Sequence, residues 1–212
     1  MLNLNKFSFI ISISICLFCS NSFGDIIEEV IVLGDWRQVA QNKEDASIVL
    51  LNSEDISNQS INHCEGLTYL VPNLNFAASD SRARYFQIRG IGERSGYQGT
   101  PNSSVGFLID DIDYSGQGGI ATTFDVEQVE IHRGPQGSRM GANALAGLIY
   151  IKTKDPTEEF ESYSILSLGD FGRKGLGLAI GGPLENQESI QYRLAIHKHK
   201  EDGFRKNRYL KT

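Results

Sequence analysis

Three stretches of this 212-residue chain carry residue types that could do chemistry. Residues 134–142 (GPQGSRMGA) could turn several backbone N–H groups toward a phosphate. A phosphate-cradling loop, however, closes on Gly-Lys-Ser/Thr, and this one does not. Asp111, Asp113, Ser115 and Gly116 begin like a calcium loop, but the twelfth position is Thr122 where a bidentate glutamate is needed. His197 and His199 alternate along a strand and so share a face, yet two ligands are too few for a closed metal site. No nucleophile–base pair and no metal triad emerges elsewhere. The chain is therefore expected to be no enzyme, with no catalytic residue, resident metal or cofactor.

What positions these residues starts after a leader. Lys6 is the only charge before Asp25, residues 7–19 (FSFIISISICLFC) are apolar apart from serines, and Ser22 and Gly24 form a small-x-small exit. Residues 1–24 read as a cleaved secretory signal peptide, being shorter in apolar run than the ~20 residues that span a bilayer. Losing Lys6 takes the net charge from −6 to −7. An acidic chain argues against a nucleic-acid partner, whose phosphates select a basic face. Cys64 alone remains, so no internal disulfide is expected. No long apolar run follows the leader, and any entry into a membrane must be as strands of a closed barrel.

Residues 25–34 (DIIEEVIVLG) form a short β-branched run behind two acids, and 35–46 reads as a tether. A strand with no local partner leaves its backbone free for another chain; an ordinary first strand of the domain is the equal alternative. A mixed domain is expected over 47–156. Residues 47–51 form a strand, and Asn62 with Glu65 suggests a capping box. A helix from there carries Cys64, Leu67, Leu70 and Val71 on one face and stops at Pro72. Strands follow at 86–89, 105–109, 128–131 and 148–152, separated by glycine-rich loops at 90–104, 115–123 and 134–147. Beyond Pro156 the period becomes two: Leu176, Leu178 and Ile180 alternate with Gly and Ala. Ile190, Tyr192, Leu194 and Ile196 oppose Gln191, Arg193, Ala195, His197 and His199. Residues 160–168 are less regular, because Tyr163 and Ile165 are out of phase with Leu166 and Leu168. Ten-residue strands joined by turns suit a membrane barrel, with the two histidines as polar lumen residues; a soluble antiparallel meander is the alternative that three strands leave open.

The stretch 124–156, FDVEQVEIHRGPQGSRMGANALAGLIYIKTKDP, closely resembles the plug signature of TonB-dependent outer-membrane receptors. LTYLVPNL (67–74), FQIRGIG (86–92) and VGFLIDD (105–111) resemble earlier plug elements in order and spacing. EEVIVLG (28–34) resembles the TonB box, with Leu33 in place of a threonine. The resemblance implies an α+β plug domain, a mixed four-stranded sheet with short helices, followed over 157–212 by the first antiparallel strands of a transmembrane β-barrel. It implies a TonB box at Glu28, Glu29, Val30, Ile31, Val32 and Leu33 with a tether to residue 46. The plug signature falls at Arg89, Gly90, Arg133, Gly134, Pro135, Gly137, Gly141 and Gly147. Its glycines are expected where a Cβ would clash, and Pro135 ends strand pairing. Arg89 and Arg133 each need a carboxylate, which the resemblance implies the barrel wall supplies.

The resemblance further implies active nutrient uptake across the outer membrane, with an iron–siderophore complex as the commonest substrate. The partners would be TonB of the inner-membrane energy complex and the barrel of the full-length receptor. Substrate loops are expected at 93–104 and 115–123, with Tyr97, Gln98 and Tyr114 as contacts. Three strands cannot close a barrel, so the chain is expected to continue or to be a truncated product. The rival expectation is a soluble periplasmic plug-like module that binds TonB without a barrel.

Overall fold

The computed structural model describes residues 31–32, 39–40, 47–59, 61–78, 82–95, 102–118, 121–184 and 187–203. Glu28, Glu29, Val30, Leu33, Tyr97 and Gln98 lie outside the described residues, as does the leader. From Ile31 onward the described residues form one compact unit.

Short runs rich in Val, Ile and Leu build the central sheet, continuous at 105–108 and 148–151, where both faces are buried. Strands β3 (Ile48–Asn52), β6 (Val105–Ile109), β7 (Ile112–Asp113), β8 (Val126–His132) and β9 (Gly147–Thr153) lie in the order β3-β8-β9-β6-β7. Only β6 and β9 run parallel; the other pairs are antiparallel. One face carries Val49, Ile131, Ile149 and Phe107 in register. The hairpin of β4 (Leu74–Ala78) and β5 (Ala83–Ile88) packs on this face, with Phe86 stacked on Phe107 at 5.7 Å between centroids. The strand expected at 86–89 is therefore part of a separate hairpin, and the short β7 is an added edge of the four main strands. Asp110 and Asp111, both at positive φ, make the β6–β7 turn. Aspartate tolerates that region, so the usual glycine is not needed.

The helix ends differ from expectation. The capping box belongs to α1 (Ser53–Asn58), where Asn52 Oδ1 accepts Asp55 N–H at 2.7 Å and Asp55 Oδ2 accepts Asn52 N–H at 3.1 Å. Cys64–Tyr69 is a 3₁₀ turn with no side-chain cap. Its Glu65 is drawn instead to Arg82 Nη1 at 3.0 Å and Ala83 N–H at 3.1 Å, pinning the turn to β5. The expected apolar face holds: Cys64, Leu67 and Val71 are buried. Burial pushes the Cys64 thiol up to about 12, leaving it an inert core residue.

Beyond the plug, β10 (Glu161–Leu168), β11 (Lys174–Leu184) and β12 (Gln187–Lys200) form an antiparallel sheet with two open edges. Alternation on β11 is strict as far as Gly181: Gly175, Gly177, Ala179 and Gly181 are buried, and Leu176, Leu178 and Ile180 are exposed. Leu166, Leu194 and Ile196 lie on the same exposed face. The irregularity of β10 has a cause in this packing. Tyr163 and Ile165 point to the plug side, and Leu166 and Leu168 continue the apolar outer face.

Candidate functional site

Two neighbouring plug residues join the plug to these strands. Phe124 lies between Tyr163 and His197, with centroid separations of 6.0 and 5.2 Å and interplanar angles of 20° and 13°. It sits over Gly177, where any Cβ would run into its ring. Small residues on the inner face of β11 thus make a slot for an aromatic knob. Asp125 follows in the left-handed region and meets Arg193 of β12 through two parallel bonds, Nε to Oδ2 at 2.8 Å and Nη2 to Oδ1 at 2.6 Å. Both side chains are under a tenth exposed. Beside the joint, a cavity of about 360 Å³ opens between α1 and the strands, lined in part by Glu54, Asn62, Lys154 and Arg173.

The arginines foreseen at the wall behave otherwise. Arg89 is exposed in a turn at positive φ, where water solvates it. Arg133 is partly buried, donates its backbone N–H to Ser47 O at 2.8 Å, and has a buried Nε without a partner. Among the described residues neither meets a carboxylate. The plug–strand pair has the opposite polarity, with the acid on the plug and the arginine on the strand. The signature glycines also divide. Gly147 (φ +157°) would drive a Cβ into the His132 carbonyl, and Gly141 ends α2 (Gly137–Met140) at φ +62°. Gly90 adopts φ +82°. Gly134 and Gly137 have open space around them and no left-handed φ, so no clash requires them. Tyr114 is half-buried against the core, with its N–H donated to Phe107 O.

The second site is the run expected to be the box. Ile31–Val32 (β1) pairs antiparallel with Val39–Ala40 (β2), so the run expected to lack a local partner has one in the supposed tether. Val32 is fully buried. Gln128 Nε2 donates to Ile31 O at 2.9 Å and to Glu130 Oε1 at 2.8 Å. Glu130 Oε2 in turn meets His132 Nε2 at 2.9 Å, with both side chains buried. Sequence reasoning missed Phe124, Asp125, Gln128 and Glu130. The alternation of Gln128, Glu130 and His132 with Val129 and Ile131 was the available signal, since it gives the strand a polar second face.

Histidines border the joint. His63 and His199 meet edge to face at 5.5 Å, and His197 accepts or donates a bond with Thr122 Oγ1 at 3.1 Å. Burial first, then the charge of Arg82, lowers the His63 pKa from 6.5 to about 4; Glu65 opposes this, and His199 and His197 add to it. A folded state that refuses a proton is penalised once the unfolded chain binds one. The His63 contribution is thus complete above pH 6.5 and is lost as pH falls from there to about 4. Urea titrations at several pH values should show His63→Gln losing less stability than wild type across this window. Equal losses would remove His63 from the acid response.

A mixed-sheet plug fastened to the inner face of an antiparallel sheet, whose outer face is apolar, defines the class: a plug with barrel strands. The TonB-dependent Receptor Plug Domain model matches residues 40–148, and the chain belongs to this family. It is 30% identical over 89 residues to the vitamin B12 transporter BtuB of Vibrio vulnificus, covering 42% of this chain and 14% of that protein. It is 25% identical over 192 residues to the ferric enterobactin receptor PirA of Pseudomonas aeruginosa, covering 82% of this chain and 25% of that protein. The chain therefore spans a quarter or less of these relatives' length. Its fold matches the ferripyoverdine receptor of the Pseudomonas aeruginosa outer membrane with a TM-score of 0.69 at 18% identity, over 81% of this chain and 22% of that one. The alcaligin receptor FauA of Bordetella pertussis matches with a TM-score of 0.64 at 18% identity, over 77% and 28%.

Proposed function

We propose that this chain is the N-terminal region of an outer-membrane receptor that takes up a scarce nutrient, such as an iron–siderophore complex, with energy delivered by TonB. The leader at 1–24 exports it, residues 28–33 are the contact for TonB, and the glycine-rich loops at 93–104 and 115–123 face the substrate. The observation that carries the reading is the two-sided sheet of β10–β12. Its inner face is shaped to the plug by Gly177, Tyr163 and Arg193, while its outer face shows Leu176, Leu178, Leu194 and Ile196. Such an outer face suits lipid, and an edge-open sheet suits further strands. A soluble module would leave that face in water, which weighs against it.

The test is disulfide crosslinking between a cysteine introduced in place of Ile31 and TonB in outer-membrane preparations. Val32→Pro removes a backbone donor from the pairing strand. The proline variant is expected to lose roughly ten-fold or more in crosslinking yield, a change on the order of the tenfold-per-1.4 kcal/mol scale. An unchanged yield would mean that β1 is a structural strand only.

A further inference from the structure

We infer that Gln128 is a positioning residue that holds the coupling segment docked, and that the buried Glu130 carboxylate orients it for that task. The inference rests on residues 28–33 being the coupling segment. A segment that must pair with another chain has here its own partner strand and a fully buried Val32. It has to come off before it can be used elsewhere, and what holds it decides how often it does.

The Gln128 amide nitrogen spends both its hydrogens, one on Ile31 O and one on Glu130 Oε1. An amide can turn over, exchanging its oxygen and nitrogen with little change of shape. Here the turned form would set oxygen against the Glu130 carboxylate on one side and the Ile31 carbonyl on the other, two acceptor pairs with no hydrogen between them. The acid beneath thus selects the form that bonds the segment. Glu130 is itself fixed by His132 at 2.9 Å. Lys152, opposite Gln128 in the sheet, is engaged by Asp155 at 2.5 Å and so does not compete. The floor of this site is polar although it is fully covered, since Glu130 and His132 lie at 0% and 3% exposure.

The experiment uses the receptor carrying these residues, in outer membranes, with Val32→Cys as reporter, since Val32 is fully buried while the segment is docked. Cys64 stays silent because it is buried. Maleimide labelling of the reporter thiol and its crosslinking to TonB are read in the same samples. Gln128→Leu keeps the bulk and removes the donor, and is expected to raise labelling roughly three- to ten-fold, the range set by the net contribution of one hydrogen bond. Gln128→Glu is expected to exceed it, because a carboxylate faces both acceptors. Glu130→Gln lets the amide turn over and should give a smaller rise. More labelling with more crosslinking supports the inference and the coupling reading together. More labelling without any crosslinking supports the docking role and overturns the coupling reading. Unchanged labelling in both Gln128 variants overturns the inference, whatever the crosslinking shows.

Discussion

Arg193→Leu is expected to unseat the plug from β10–β12 and to destabilise the folded chain by about 3–5 kcal/mol, the cost of leaving one half of a buried ion pair unmatched. The abandoned partner is Asp125, 6% exposed and held in the left-handed region, so it cannot swing out to water without unwinding its own turn. Glu161 does not replace the loss, because it too would lose a cation, at 3.4 Å. Arg193→Lys should recover only part of the stability, since an ammonium cannot make the two parallel bonds. Asp125→Leu combined with Arg193→Leu should recover most of it, because the buried charges then vanish together. Urea unfolding of detergent-solubilised protein provides the numbers. A loss within about 0.5 kcal/mol for Arg193→Leu, the level of an ordinary surface substitution, would show that the pair does not fasten the plug.

Gly147→Ala adds one methyl group and is expected to cost roughly 3 kcal/mol, combining about 1–3 kcal/mol of overpacking with a comparable strain at an unfavourable φ. The new carbon would meet the His132 carbonyl and the end of Ile88. Ile88 is a flexible side chain, but the carbonyl is part of the β8–β9 ladder, where His132 pairs with Leu148. Relief therefore requires the two central strands to part at their end. Gly134→Ala and Gly137→Ala, in the same glycine-rich signature, have open space and should each change stability by no more than about 1 kcal/mol. Thermal melts of the three variants in parallel make the comparison, and equal effects would refute the steric account.

Much of this architecture can be read from residue order. The β6 boundaries follow from a continuous apolar run, and the buried face of the 3₁₀ turn and the two faces of β11 from apolar period, because burial against a neighbour selects both. Pairing across distance is less legible. Nothing local in residues 83–88 says that they join Leu74–Ala78 rather than the central sheet. The capping box shows the same limit: Asn62 and Glu65 have the right spacing, yet Arg82 and the Ala83 N–H claim the glutamate. Arg133 could be recognised as a charge in an apolar setting, whereas the pair that forms depends on Arg193 and Asp125 meeting across the joint. The candidate sites divide likewise. Ile31 and Val32 could be singled out as a strand in need of a partner, but the donor that holds them, Gln128, lies a whole domain further along the chain.

Two pairings of the central sheet join distant segments. Asn52 of β3 pairs with Gln128 of β8, and Val105 of β6 pairs in parallel with Gly147 of β9. Each pairing must close a long loop before any ladder bond repays the lost chain entropy. High contact order of this kind places folding in the millisecond-to-second range rather than microseconds. A nascent chain thus spends an extended period as an open polymer, with β3 and β6 both waiting for partners, β8 and β9, that arrive late. That slowness leaves strand edges open to wrong partners, and it would keep the chain thin enough for the export proposed above. An escort that holds the unfolded chain would act in this interval, and speeding up β6–β9 closure would shorten it.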